Sequence, residues 1–410
     1  MQITLKNLNH YLSDNLYELI HHGIFQAKEI ILFGANSTSH LMKKILSECG
    51  YGIAAYIDND RIKCQDINQF LQFTLAHHTN TSVNLDHLVY AYMPEEYLGE
   101  YRESAVILIA SKYYPQMSRQ LYDMGYKEGK QVFQIVDFYA LEQMLQGEDM
   151  NSYCKLQMGE VREMQMELMR YVRDTCERNG LRYYMCGGTL LGAVRHGGYI
   201  PWDDDVDLAM PMPDYLKFIK IVKNQGQYLS LNIFDYPDDY YNFFMRLINQ
   251  DTYLKYWEYP FLMTTGVSID IFPLFGLPSQ QKEREFFYKT IRLLNERYIS
   301  TYIENDKDTQ KVISTRHNLQ RQIEDMMEQY SFDECEWIGN VLSKYREKEI
   351  MPRAIYQDHV QLKFENDLFA AAGGYVDYLS RMFGDYMQLP PERDRMNTHD
   401  YNAYVVNKVE

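Results

Sequence analysis

Four aspartates fall within five positions of this chain: Asp203, Asp204, Asp205 and Asp207, between Trp202 and an apolar tail of Leu208, Ala209 and Met210. Just upstream stands Cys186-Gly187-Gly188-Thr189. In an extended strand side chains alternate sides, so Asp203, Asp205 and Asp207 share one face and Val206 and Leu208 the other. Neighbouring carboxylates on one face repel by about 1 kcal/mol per pair in water and by several in a drier setting. A hard divalent cation relieves that repulsion, and Mg²⁺ (or Mn²⁺) keeps one or two protein carboxylates plus substrate phosphates. Asp203, Asp205 and Asp207 are therefore candidate metal ligands. The plainer reading, a solvated acidic turn, explains neither the apolar flank nor the glycines. A Gly-Gly step after a strand lets backbone N–H groups approach a phosphate without Cβ interference, which marks Gly187, Gly188 and Thr189 as candidate phosphate binders. Glycines on phosphates followed by acids on a metal make an arrangement for nucleotidyl or phosphoryl transfer.

Two further pieces belong to the same chemistry. Arg195-His196 lies between the glycines and the acids. A guanidinium grips phosphate bidentately, and His196 is placed to contact a phosphate or the leaving group; the alternative is that both orient the loop through backbone carbonyls. Asp270 stands alone in the apolar run Gly266–Phe275. A buried unpaired carboxylate is expensive, so it needs a partner. It either shares the cation, acts as general base on an acceptor hydroxyl, or is a buried salt-bridge partner.

The run GGTLLGAVRHGGYIPWDDDVDLAM closely resembles the signature of the LicD family, which includes the fukutin-related proteins. The similarity continues at Ser268–Pro273, Leu362–Glu365, Phe383–Met387 and Leu389–Pro391, so it covers roughly residues 155–400. The resemblance implies a nucleotidyltransferase-like fold that moves a phospho-alcohol, often phosphocholine, from a CDP-linked donor to a glycan hydroxyl. Asp205, Asp207 and Asp270 are then the candidate catalytic residues. The acceptor implied is a cell-surface glycan or its lipid-linked precursor. Two other readings stay open: a nucleotidyltransferase that places NMP on a small molecule or protein, and an inactive scaffold in glycan biosynthesis.

The elements that must position these residues follow from periodicity. Leu8, Leu12, Leu16 and Leu19 predict a short leading helix. Glu29–Gly34, a helix over 37–49 stopped by Gly50, and Tyr51–Ile57 ending at Asp58 give strand, glycine turn, helix and strand. Strands follow at 88–93, 105–110 and 131–135, with a helix over 116–124. Residues 1–140 thus read as an α/β, Rossmann-like domain with a parallel sheet. Only the first glycine of G-x-G-x-x-G is present, at Gly34, and Asn36 fills the second place. That favours a structural or regulatory module over dinucleotide binding. Residues 141–155 read as a linker. Residues 156–410 read as an α+β, nucleotidyltransferase-like domain. It opens on a long helix over 156–178, with Val161, Met164, Leu168, Val172 and Cys176 on one stripe. Helix 214–224 and strands 231–234 and 243–247 follow. Residues 280–350 are expected to be a charged helical insertion that shapes the acceptor side and carries no chemistry.

Composition narrows the partners. Among 410 residues there are 57 acidic and 41 basic side chains, a formal charge of −16, which excludes a nucleic-acid backbone binder and a polybasic membrane patch. Six scattered cysteines without C-x-x-C suggest reduced thiols in a cytoplasmic setting. The N-terminus lacks a signal-peptide core, and no apolar run reaches the roughly twenty residues of a membrane span. A lipid-linked acceptor would be met from the water side, at the inner membrane face, by peripheral contact.

Overall fold

The computed structural model describes residues 5–61, 89–137, 153–232, 240–256, 264–303, 309–392 and 401–406 apart from 100, 112 and 241, together with 63–65, 67–68, 71–72 and 395. They fall into two compact units, one within Met1–Asp149 and one of Met150–Tyr256 with Met263–Glu410. Most of the expected linker, 141–152 of 141–155, lies outside the described residues.

The first unit is an α/β layer structure. Strands β1 (Glu29–Phe33), β2 (Ala55–Ile57), β3 (Ala91–Tyr92), β4 (Ala105–Ile109) and β5 (Val132–Gln134) form one parallel sheet in the order β3-β2-β1-β4-β5. Ile31, Phe33, Ile107 and Ile109 are each no more than 1% exposed. Complete burial of such side chains contributes about 1.5–3 kcal/mol each, and apolar runs without alternation are what a sheet covered on both faces requires. Helix Ser37–Glu48 begins as the Asn36 side chain accepts the Ser39 N–H, and Gly50 takes a left-handed φ of 83° at its end. The strand-end acid Asp58 accepts from the N–H of Ala35 and Asp60 and pairs with Lys63 Nζ at 2.9 Å. Its carboxylate closes the turn, and Asn36 occupies the helix N-terminus.

The second unit is α+β, and its main sheet carries the acids. Strands β6 (Tyr153–Lys155), β7 (Tyr184–Met185), β8 (Asp207–Pro211), β9 (Leu229–Leu231), β10 (Met245–Ile248), β11 (Thr252–Tyr256), β12 (Thr264–Thr265) and β13 (Ser268–Leu277) precede the long helices. Strands β14 (Trp337–Gly339), β15 (Met351–Pro352), β16 (His359–Phe364), β17 (Asp367–Ala372) and β18 (Tyr401–Val406) follow them. The seven-stranded sheet runs β15-β14-β13-β10-β9, with β8 parallel to β13 and β7 antiparallel to β8. Strands β12-β11-β18-β6 form a second sheet, and β16–β17 a hairpin. The stripe of helix Met158–Asn179 buries Val161, Leu168, Val172 and Cys176, and Gly180 ends it at φ 62°.

Two expectations are corrected here. Helices Gln281–Ile303 and Thr309–Glu328 fill only the first part of 280–350; from Trp337 the chain returns to the main sheet by pairing with Phe275–Leu277. The signature strand begins at Asp207, not Asp203, because Pro201 and Trp202 turn the chain just before it. All six cysteines are free thiols. No helix among the described residues is long and apolar enough to cross a membrane.

Candidate active site

The glycines and the acids meet at one helix end. Strand β7 stops at Met185, Cys186 is extended, and helix Gly187–Arg195 starts directly, with no side-chain cap from Cys186. Gly187 sits at φ 52°, and its N–H donates to the Tyr378 hydroxyl at 3.0 Å. A Cβ on Gly187 would lie 2.7 Å from Asp207 Oδ2, and one on Gly188 would lie 2.6 Å from Asp203 Oδ2. Glycine is required so that both carboxylates can lie against the helix N-terminus, where the helix dipole is positive.

The segment before β8 is held by backbone bonds from helix Met158–Asn179. Arg162 Nη2 donates to the carbonyls of Asp203 at 2.6 Å, Pro201 at 3.3 Å and Ile200 at 3.4 Å. Gln165 Nε2 donates to the Asp204 carbonyl at 2.9 Å. The Arg162 guanidinium lies over the Tyr199 ring, and the Tyr199 N–H donates to Glu365 Oε1 at 2.9 Å. Although Asp203–Val206 is not strand, burial alternates from Asp203 to Leu208. Asp204 is 2% exposed and Val206 and Leu208 are fully buried, so Asp203, Asp205 and Asp207 share the open side.

Strand pairing adds the fourth acid. Asp207 and Asp270 are register partners on parallel neighbours, and Arg246 stands opposite Asp270 on the other side. Arg246 Nε donates to Asp270 Oδ1 at 3.0 Å, so Asp270 has the salt-bridge partner its burial demands and also flanks Asp207. Carboxylates on adjacent strands, about 5 Å apart, repel by roughly 3 kcal/mol at an effective dielectric near 20. Burial, then Asp205 and Asp204, push the Asp203 carboxyl up to about 7. Burial, then Asp205, Asp270 and Asp203, raise Asp207 well above the carboxylate range, and Lys344 opposes both shifts. The cluster carries more negative charge than its surroundings balance.

Residues 180–304 match the family model described as LicD/FKTN/FKRP, nucleotidyltransferase domain. The chain carries a LicD-family domain. It is 29% identical over 269 residues to the lipopolysaccharide cholinephosphotransferase LicD of Haemophilus influenzae, covering 62% of this chain and 99% of that one. It is 54% identical over 48 residues to the human ribitol 5-phosphate transferase FKRP, 12% of this chain and 10% of that one. An uncharacterised Rickettsia typhi protein, RT0683, is 41% identical over 56 residues, 14% of this chain and 18% of that one.

Within the LicD-family domain the structure separates the candidate residues. Gly187, Gly188, Asp203, Asp205, Asp207 and Asp270 converge. Thr189 is 3% exposed, and its hydroxyl accepts the Asp207 N–H at 2.8 Å, so it ties helix to strand rather than facing a phosphate. Arg195 lies at the far end of the helix, about 12 Å along its axis from Gly187. Its Nη1 donates to the carbonyls of Tyr386 at 3.0 Å and Gln388 at 3.4 Å, which is the loop-orienting role. His196 stands edge-on to Trp202 and is held below the usual imidazole range by burial and by Arg195. Three residues outside 180–304 were not legible as site residues: Lys344, Glu365 and Tyr378. Glu365 ends the family-like run Leu362–Glu365 but no role was readable there, and Lys344 and Tyr378 carry no local signal; only pairing across more than 130 positions brings them here.

Proposed function

We propose that this LicD-family chain transfers a phospho-alcohol, phosphocholine in the first instance, from a CDP-linked donor to a hydroxyl of a cell-surface glycan or its lipid-linked precursor. The observation that carries this reading is the pair of carboxylates, Asp203 and Asp207, packed on Gly188 and Gly187 at the start of a helix, with Asp270 in register beside them. The Haemophilus influenzae relative is named for cholinephosphate transfer and FKRP for ribitol 5-phosphate transfer, which supports a phosphotransferase. We read the second unit as nucleotidyltransferase-like and the first, from its order β3-β2-β1-β4-β5, as Rossmann-like. We place the reaction in the cytoplasm, at the inner membrane face.

Mg²⁺ or Mn²⁺ is part of the proposal. Among the described residues no group of three or more His, Cys, Asp or Glu side chains is placed to hold a metal ion. Acids whose protons are held by burial and then by their neighbours fit an ion that keeps only one or two protein carboxylates and takes the rest from phosphates and water. Asp205 and Asp207 would hold it, with Asp203 beside them. When bound, such an ion neutralises charge on the transferred phosphoryl and the leaving CMP.

The chain's own residues do the rest. The first-turn N–H groups beyond Gly187 face the donor diphosphate. Tyr378 fixes the Gly187 N–H, so the helix end is set before substrate arrives. The acceptor oxygen bonds to phosphorus as the bridging P–O bond breaks and CMP leaves. Asp270, aimed by Arg246, orients the hydroxyl; an arginine-paired carboxylate is a weak base, so it takes the proton only as the new bond forms.

The test uses the full chain, cell-envelope glycan and a panel of alcohol-labelled CDP-choline, CDP-ethanolamine, CDP-glycerol and CDP-ribitol, with labelled NTPs alongside. One CDP-alcohol should pass its label to glycan and release CMP, and EDTA should stop it. Asp207→Ala should reduce transfer at least 1000-fold, on the order of one lost charge-stabilising group, with the thermal midpoint preserved. Label moving only from NTPs, or from no CDP-alcohol, would overturn the proposal.

A further inference from the structure

The Gly197–Pro201 bend leads the chain into the acids, and it starts on two glycines with no side chain to fix it. The Gly198 N–H reaches the Gly192 carbonyl at 3.4 Å, and the Asp203 N–H closes the far side on the Ile200 carbonyl at 2.9 Å. A second hold comes from the tip of the β16–β17 hairpin. There the Glu365 N–H donates to the Gly197 carbonyl at 2.9 Å, and Glu365 Oε1 accepts the Tyr199 N–H at 2.9 Å. The carboxylate lies against Gly198, where a Cβ would overlap it. Phe364 packs edge-on against the Tyr199 ring, with centroids 4.9 Å apart.

Glutamate is an unexpected residue for that tip. Phe364 and Asp367 are paired, so Glu365 and Asn366 form a two-residue turn, and Glu365 takes a φ of 54°. A hairpin turn with positive φ at its first central position favours glycine there. Among the described residues only Ala27 and Arg346 are also left-handed without being glycine. Such a backbone persists where its surroundings over-determine it, and it clusters at functional sites. Glu365 is exposed, so core packing does not hold it there. The bond from its carboxylate to the Tyr199 N–H is what a glycine would lack. From Tyr199 the constraint passes toward the acids. The Tyr199 hydroxyl donates to Gln165 Oε1 at 3.0 Å, and its ring centroid lies 4.7 Å from the Arg162 guanidinium carbon. Arg162 and Gln165 are the donors that hold the Asp203 and Asp204 carbonyls.

We propose that Glu365 is a positioning residue for the transfer: its carboxylate fixes Tyr199 against Arg162 and Gln165, and so sets where the segment carrying Asp203 and Asp205 stands. This rests on the phosphotransfer reading above. It goes beyond the matched family model, which ends at residue 304. Glu365 touches no reacting atom and acts through hydrogen-bond geometry, not charge. An amide therefore serves in its place, because the side-chain oxygen of glutamine accepts the same N–H. Donor binding at the helix end beyond Gly187 makes no direct use of the bend, so the effect falls on turnover more than on donor affinity.

The experiment compares wild type, Glu365→Gly and Glu365→Gln in the full chain. Glu365→Gly relieves the left-handed backbone and removes the acceptor. Its thermal midpoint should stay within about 3 °C of wild type, while kcat falls about 100-fold, as misplacing a reacting constellation by about 1 Å does, and the donor KM changes less than about fivefold. Glu365→Gln should keep kcat within about fivefold of wild type. Hydrogen–deuterium exchange, which needs no donor, should quicken about tenfold over residues 199–203 in Glu365→Gly, the effect of one lost hydrogen bond, and stay unchanged in Glu365→Gln. If wild type transfers and Glu365→Gly keeps kcat within about threefold, or Glu365→Gln falls as far as Glu365→Gly, the positioning role is overturned while the phosphotransfer reading stands. A loss of kcat that comes with a midpoint lowered by more than about 8 °C, or exchange over 199–203 unchanged in Glu365→Gly, overturns it as well. If wild type transfers from no CDP-alcohol, both fall together.

Discussion

Gly188→Ala separates the fold from the chemistry. A methyl group there would stand 2.6 Å from Asp203 Oδ2, and ordinary contact begins at 3.4 Å, so the carboxylate must withdraw by about 0.8 Å. Gly188 is not among the left-handed glycines and sits in the first turn of helix Gly187–Arg195. Alanine in place of glycine inside a helix adds up to about 1 kcal/mol of stability, which offsets the cost of moving one half-exposed side chain. The thermal midpoint should therefore stay within about 3 °C of wild type, the shift that less than 1 kcal/mol produces in a chain of this size. Activity should not survive, because misplacing a reacting constellation by about 1 Å costs on the order of a hundredfold. Gly187→Ala is the control: at φ 52° and 2.7 Å from Asp207 Oδ2 it is strained as well as crowded, and should lose about 1–2 kcal/mol of stability. The assay pairs differential scanning calorimetry with single-turnover transfer from the CDP-alcohol that the panel identifies. A Gly188→Ala protein that transfers within threefold of wild type would refute the packing of acid on glycine as the source of the geometry.

Two more outcomes follow from the same contacts. Arg162→Met removes the donor for three carbonyls; it should destabilise by about 1–3 kcal/mol and speed amide exchange over residues 199–206, read by mass spectrometry, before any global unfolding. Burial pushes Glu349 up to about 7, with the Ser343 hydroxyl opposing. A carboxyl raised in the folded state favours folding at low pH, and that advantage is lost as pH rises from about 4.5 to 7. Glu349→Gln should match wild type near pH 5 and exceed it at pH 8 by about 2 kcal/mol, the shift discounted for partial exposure, in urea titrations at the two pH values. Equal stability at both would remove Glu349 as a buried acid.

What the sequence reveals here is local, and what it hides is long-range. Alternating apolar strands and glycine-stopped helices made the parallel sheet of the first unit legible, because both faces of β1 and β4 are buried and their runs are unbroken. Glycines and acids at 187–207 stood out because their contacts lie within twenty residues. The strand start was misread: alternation persists from Asp203, but Arg162 takes the Asp203 carbonyl and Gln165 the Asp204 carbonyl, which a neighbouring strand would otherwise have bonded. Arg195 looked like a phosphate grip because its type is suited to one; the loop at Tyr386–Gln388, nearly two hundred residues away, accepts it instead.

The pairing of β8 with β13 has a mechanical consequence. Asp207 and Asp270 project from adjacent hydrogen-bonded strands in fixed register, so their spacing is set by the sheet and cannot widen without breaking the ladder between Asp207–Pro211 and Asp270–Leu274. Breathing of the cleft must then come from segments outside that ladder. The hinge of any opening would be the Gly197–Pro201 bend or the Asn340–Tyr345 turn, while the acid floor behaves as a rigid anvil.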